Sequence, residues 1–240
     1  MGDSMLQVEL AERMASAGFA FVPADLFKKL LPADSLATWP SFAASWNDLG
    51  LDTYMADGGR YRRRHFAAFA VSAGAIVRKP HQPHYQSRDY NPLNGGIERW
   101  FEPITDATAS DPVLHTCLRM CRSLFDSLTN NPPEMWHVEV HQFRIEARQD
   151  AHGMPTPEGL HRDGVDWVLV LLTARENIAE GVTTIYDLAK QPLGSFTLAS
   201  PLDAAIVDDS RAYHGVTAVK PLDESMPAYR DVLVVTFRRP

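Results

Sequence analysis

From residue 134 onward the chain is a succession of short β-like runs with no helical stretch between them. They cover 136–146, 166–173, 182–187, 195–199, 203–208, 212–219 and 230–237, separated by turn residues. Few folds accept such a series: antiparallel strands must close into a sandwich or barrel. A sheet must also bury its apolar face. The chain before residue 134 supplies the cover, so the expected architecture is mainly β with a helical annex.

That front half predicts helices over 6–17, ending at Gly18, and over 23–31, opened by Pro23 and stopped by Pro32. A third is expected over 34–49, interrupted or bent at Pro40. The clearest helix is 112–128, where Val113, Leu114, Cys117, Leu118, Cys121, Leu124, Phe125 and Leu128 recur at helical spacing. Asp111 is its N-cap, with Pro112 at the first helical position. Residues 60–72 read as a strand, and 79–96, rich in Pro and Gly, as a long binding loop or lid. The run Arg60-Tyr61-Arg62-Arg63-Arg64 is either an anion-binding patch or the solvated start of that strand, and the solvated reading is preferred. Front and back halves are expected to share one core, giving a single domain over 1–240. In it 1–133 is mostly helical with a long loop, and 134–240 carries the β core and the site.

The chemistry concentrates in two places. His161-Arg162-Asp163 is followed, 51 residues after Asp163, by His214 in Tyr213-His214-Gly215. The His-x-Asp spacing at a strand end points both side chains to one side of the chain. A jelly-roll or cupin-like barrel can bring a distant histidine to the same open mouth. Two imidazoles and one carboxylate form the facial set that holds non-haem Fe(II) and leaves positions open for oxygen chemistry. No thiol lies near this stretch, which argues against a closed structural zinc site. The plainer alternative makes His161 and Asp163 a hydrogen-bonded turn pair and His214 a core histidine.

Arg230 opens the last β run, 16 residues after His214. Directed into an apolar barrel, its charge would require a bound carboxylate; on an edge strand it would pair with Asp231 or Glu224. For the charged ends of an amino-acid ligand, Arg144 or Arg99 could meet a carboxylate and Asp166 or Glu139 an ammonium. Trp167, Tyr85 and Tyr90 could form an apolar wall.

A net charge of −7 disfavours nucleic-acid or anionic-membrane binding. Cys117 and Cys121, four apart in one helical pattern, are in poor geometry for a disulfide and read as buried thiols. No signal peptide is visible and no run approaches the roughly 20 apolar residues of a membrane helix, so the default location is the cytoplasm. The oligomeric state is not legible.

Four segments together carry a family resemblance: His141-Gln142-Phe143-Arg144-Ile145, Glu158-Gly159-Leu160-His161-Arg162-Asp163-Gly164, His214-Gly215-Val216-Thr217 and Tyr229-Arg230-Asp231-Val232-Leu233. Strongest over 137–237, it is to the 2-oxoglutarate/Fe(II) dioxygenases that include bacterial L-isoleucine 4-hydroxylase-like enzymes acting on free amino acids. The biofilm-and-stress proteins called BsmA resemble the same group. The resemblance implies a double-stranded β-helix core with helices on one face. It implies His161, Asp163 and His214 as iron ligands, Arg230 as the clamp for the distal carboxylate of 2-oxoglutarate, and O₂ as co-substrate. The expected activity is hydroxylation, or sulfoxidation, of a small free L-amino acid. Two other readings stand beside it: an Fe(II) cupin dioxygenase independent of 2-oxoglutarate, and a non-enzymatic stress protein that keeps the fold. Family members often carry a Gly-Gly-Glu-like turn after an Asn-Ile pair; here Asn177-Ile178 precedes Glu180-Gly181-Val182, a departure that touches the pocket rather than a ligand.

Overall fold

A computed structural model of the chain describes residues 2–149 and 152–240. Helix α1 (Gly2–Ala17) ends at Gly18, whose φ of +75° suits a residue without Cβ, and β1 (Phe19–Val22) follows. The second expected helix is shorter than predicted: α2 (Ala24–Phe27) passes at once into a 3₁₀ turn over Lys28–Leu30. Helix α3 (Ala33–Ala44) runs through Pro40 without the expected interruption, and a 3₁₀ turn over Ser45–Asp48 completes it. Next come β2 (Arg62–Ser72), β3 (Ile76–Arg78), β4 (His84–Tyr85), β5 (Glu98–Arg99), β6 (Glu102–Pro103) and α4 (Asp106–Ala109). The 79–96 loop therefore contains one strand, β4, which pairs with β5 as a small hairpin. Helix α5 (Pro112–Leu128) has the predicted bounds, and Asp111 Oδ1 accepts from the Val113 N–H at 2.8 Å.

The β half comprises β7 (Met135–Ala147), β8 (Trp167–Glu176), β9 (Ile178–Glu180), β10 (Val182–Tyr186), β11 (Pro192–Thr197), β12 (Ala204–Asp208), β13 (Tyr213–Val216), β14 (Val219–Pro221) and β15 (Ala228–Arg238). The sequence pattern gives no sign of β9, and the single run 212–219 divides into β13 and β14. The large sheet has the order β1-β12-β8-β15-β7-β2-β3, and a smaller one the order β11-β10-β13. Together they form the double-stranded β-helix.

Strand periodicity sorts the side chains of the large sheet. Trp136, Val138 and Val140 of β7, Leu169 and Leu171 of β8, and Leu233, Val235 and Phe237 of β15 share a buried core with Val113, Leu114, Cys117, Cys121 and Phe125 of α5. The helices therefore cover this outer face. The alternate residues, among them Glu139, His141, Val170, Arg230, Val232 and Val234, line a cavity of about 310 Å³ against the smaller sheet. Cys117 and Cys121 are free and buried, as expected, and burial pushes the Cys117 thiol up to about 12. Among the described residues no helix is long and apolar enough to cross a membrane.

Parity overturns one expectation. Arg144 lies on the helix-covered face, where its Nε and Nη2 bind both oxygens of Asp231 at 2.8 and 2.7 Å. It is therefore no candidate for a ligand carboxylate. The Asp231 side chain is 1% exposed, so Arg144→Ala leaves a buried carboxylate without its cation. Breaking a buried pair from one side costs about 3 kcal/mol or more. Thermal or urea unfolding of the variant is expected to show that loss, and a loss below about 1 kcal/mol would contradict it.

Candidate metal centre

His161 and His214 come from opposite ends of a long connection and meet through the backbone. Each donates its N–H to the other's carbonyl, at 3.0 and 2.9 Å, in an isolated antiparallel bridge at the end of β13. Their rings lie 4.4 Å apart, centroid to centroid. Asp163 completes the group: its Oδ1 is 3.6 Å from His161 Nε2 and its Oδ2 3.7 Å from His214 Nε2. The three donor atoms all fall within 4.8 Å of one another, close enough to share one ion.

The local chain explains why Asp163 faces inward. The buried Asp209 carboxylate accepts the N–H groups of Asp163, Gly164 and Val165 at 2.9, 2.8 and 3.1 Å. Gly164 sits at φ +80°, and a Cβ there would lie 2.5 Å from the Tyr90 ring; the turn therefore needs glycine. Gln86 donates to the Asp163 carbonyl from the other side, at 3.0 Å.

The donor set fits Fe(II). His161 Nδ1–H donates to the Gly159 carbonyl at 3.0 Å, which leaves the Nε2 lone pair for a metal. Burial disfavours charge on His161, but the hydrogen bond and charge of Asp163, with Glu158 behind them, raise its pKa to about 9. Burial and the neighbouring His161 lower His214 to about 4. Asp163 is held well below the usual carboxylate range, since its two histidine partners outweigh burial. The carboxylate between the two rings favours positive charge at this point of the cavity, which a dication would supply.

A second His/Glu/His group, His84, Glu139 and His141, lines the same cavity. It is a hydrogen-bond network rather than a metal site. Arg64 Nη2 donates to His141 Nδ1 at 2.9 Å, which keeps the ring proton on Nε2, facing Glu139. His84 Nδ1 contacts the same carboxylate at 2.8 Å. Three guanidiniums around it, Arg62, Arg64 and Arg99, would repel a cation.

Arg230 is 3% exposed and lines the cavity. Its Nε has no partner among the described residues, and it pairs with neither Asp231 nor Glu224. Burial first, and Arg175 beside it, push its pKa down to about 10. A buried guanidinium next to a second one, with no carboxylate in reach, is built for an anionic ligand.

The remaining expectations divide. Arg99, Glu139, Tyr85 and Tyr90 line the cavity. Asp166 lies elsewhere, paired with Arg239 at 2.9 Å. Trp167 stacks on Phe125 in the helix-covered core, with ring centroids 5.1 Å apart. The basic run is not the solvated strand start it was expected to be: Arg62 and Arg64 are 6% and 4% exposed in the cavity wall, while Arg60 is exposed and Arg63 pairs with Glu146. Sequence reasoning assigned no role to Asp209, Glu158, His84 or His141. Of these Glu158 and His141 stood in noted motifs, and His84 in the Gln82-Pro83-His84-Tyr85-Gln86 stretch of the long loop.

Residues 43–236 match the family model described as 2OG-Fe dioxygenase. The chain is 25% identical to 3(1)-hydroxy-L-isoleucine 4-dioxygenase of Pantoea ananatis over 97% of this chain and 96% of that protein. It is 24% identical to L-isoleucine-4-hydroxylase of Bacillus thuringiensis, over 95% and 94%. The crystal structure of a bsmA homolog from Methylobium petroleophilum superposes with a TM-score of 0.87 at 34% identity, covering 97% of this chain and 92% of that one. With a family model spanning most of its length, the chain belongs to the 2OG-Fe dioxygenases, oxidoreductases that work with Fe(II) and 2-oxoglutarate.

Proposed function

We propose that the protein hydroxylates, or sulfoxidises, a small free L-amino acid, with His161, Asp163 and His214 holding Fe(II) and Arg230 clamping the distal carboxylate of 2-oxoglutarate. The observation that carries this reading is the pairing, across one cavity, of a His/Asp/His donor group with a buried guanidinium that has no carboxylate. Bound iron and 2-oxoglutarate supply the oxidant by coupling decarboxylation to O₂ reduction; the chain supplies position and excludes water. The printed activities of the isoleucine-oxidising relatives support a free amino acid as substrate.

Arg230 also favours this reading over an iron dioxygenase that needs no 2-oxoglutarate, in which such a cation would have nothing to neutralise. One dioxygenase domain over 1–240 is part of the proposal, supported by a core that α5 and β7 build jointly across residue 134. So is a cytoplasmic location, in keeping with two free thiols.

Anaerobic titration with Fe(II) and then 2-oxoglutarate tests it. A visible metal-to-ligand charge-transfer band is expected, followed on admission of air by succinate release that at least one amino acid of a panel stimulates. Absence of the band would remove the metal and co-substrate assignment; a band without amino-acid-stimulated turnover would remove the substrate class.

A further inference from the structure

Beyond Arg230, a second part of the cavity wall is charged. It lies over β2 and β7 and is roofed by the β4–β5 hairpin, whose register sets His84 against Arg99. Arg99 is 2% exposed, and its Nε and Nη2 have no partner among the described residues. Burial lowers its pKa, with the charge of Arg62 next; the carboxylates of Asp52, Glu158 and Glu139 act on it in the opposite sense without pairing directly. Arg62 Nη2 and Arg64 Nε also lack a hydrogen-bond partner among the described residues, but each of these two guanidiniums has another anchor. Asp52, wholly buried behind them, holds Arg62 at 2.7 Å. Arg64 lies between the Phe101 and Phe143 rings, at 3.8 and 4.5 Å from their centroids, and donates to His141.

Glu158 is the complementary group. Its side chain is 8% exposed in the cavity wall, between the metal ligands and Arg99. Its Oε2 has no partner among the described residues. Its Oε1 has only His161 Nε2, at 3.3 Å, the atom assigned to the metal. With that nitrogen committed to an ion, neither oxygen keeps a protein donor.

The charges balance. Around this wall three guanidiniums, Arg62, Arg64 and Arg99, stand against three carboxylates, Asp52, Glu139 and Glu158. A ligand of net charge would leave an uncompensated ion in a buried site, which is costly. A ligand with one charge of each sign would not, and the unpartnered atoms are of both kinds: donors on Arg99 and an acceptor on Glu158. Ile145, Phe143, Pro155 and Val165 line the wall nearby, an apolar surface for an aliphatic side chain.

We propose that this wall receives a zwitterionic α-amino acid, Arg99 taking its carboxylate and Glu158 its ammonium. The proposal rests on the function proposed above and assigns the substrate-reading residues of that site. It excludes amides and N-acylated forms as substrates.

Calorimetry under nitrogen, with Fe(II) and 2-oxoglutarate bound, tests it. The ligands are the twenty protein amino acids, and for the tightest binder its decarboxylated and deaminated analogues; for L-isoleucine these are 2-methylbutylamine and 3-methylpentanoate. Each analogue is expected to bind about 100-fold more weakly than the amino acid, a desolvated charge pair being lost. Arg99→Met is expected to weaken the amino acid by about 100-fold but leave the amine unaffected; Glu158→Gln is expected to do the same for the amino acid but spare the deaminated acid. The 2-oxoglutarate affinity stays at its wild-type value in both. Should Arg99→Met fail to fold, Arg99→Lys keeps the charge and removes the fork, with a loss of about tenfold confined to carboxylate-bearing ligands. Amino-acid affinity within threefold of wild type in either variant, or equal losses for the amino acid and the analogue, would overturn the assignment. An intact charge-transfer band with an amino acid bound equally well by both variants overturns this inference alone; an intact band with no panel member bound strikes the proposed substrate class as well, and loss of the band in the wild type strikes the metal and co-substrate assignment.

Discussion

Replacing Asp163 with alanine is expected to abolish Fe(II) binding under anaerobic conditions, with no turnover remaining. Of the three converging groups it alone brings negative charge, and the two imidazoles that remain offer a dication only neutral donors. Loss of a supporting partner in a metal shell alone costs about 10- to 100-fold in affinity, so loss of a ligand should exceed that. His161→Ala should behave the same way. The fold is expected to survive both changes, because the turn at 163–165 is held by backbone N–H groups on Asp209, not by the Asp163 side chain. Far-UV circular dichroism and melting of the metal-free protein check this. Unchanged iron occupancy in either variant would remove the ligand assignment.

Arg230→Met is the second large effect. It should leave Fe(II) binding intact and weaken 2-oxoglutarate severely. A desolvated guanidinium–carboxylate pair carries about 2–5 kcal/mol when one partner is truncated, equivalent to about 30- to 4,000-fold in affinity. The measurement is the concentration of 2-oxoglutarate that half-develops the charge-transfer band, compared with wild type. The size of the effect follows from position: Arg230 is buried and faces the cavity, and the neighbouring charge of Arg175 adds to the need for an anion beside it. An unchanged requirement would favour chemistry that does not use 2-oxoglutarate. A lysine at this position would restore charge but not the fork, and should recover only part of the loss.

The readable parts of this protein are those whose spacing is local. The His161-x-Asp163 pair, the apolar repeat of α5 and the β runs after residue 134 are patterns within a few residues of one another, and the fold keeps them. His214 and Arg230 stood out by residue type and context, and the family motifs that surround them gave each its expected role. The misreadings come from strand parity. A run of five residues with four arginines looked solvated as a block, yet within the strand Arg62 and Arg64 turn inward and Arg63 does not. Arg144 was chosen for its charge, while its place in the alternation of β7 sends it to Asp231 on the other face. Asp209 could not be read at all. Its work is done through three backbone N–H groups more than forty positions away, and no local pattern encodes that. Arg99 was a candidate by its charge, but the hairpin that carries it into the cavity follows a Pro- and Gly-rich stretch and is a tertiary matter.

The division of each strand between a helix-backed side and a cavity side has a practical consequence for protein engineering. Apolar positions that face the cavity on β7 and β15, such as Phe143, Val232 and Val234, can be randomised as one library while Arg62, Arg64, Glu139, His141, Arg230 and the alternate positions stay fixed, so that selectivity is explored without breaking the buried charge network. A deletion of one residue within β7 would do the reverse, exchanging the two sides at a stroke and costing the molecule both its foundation and its reactivity.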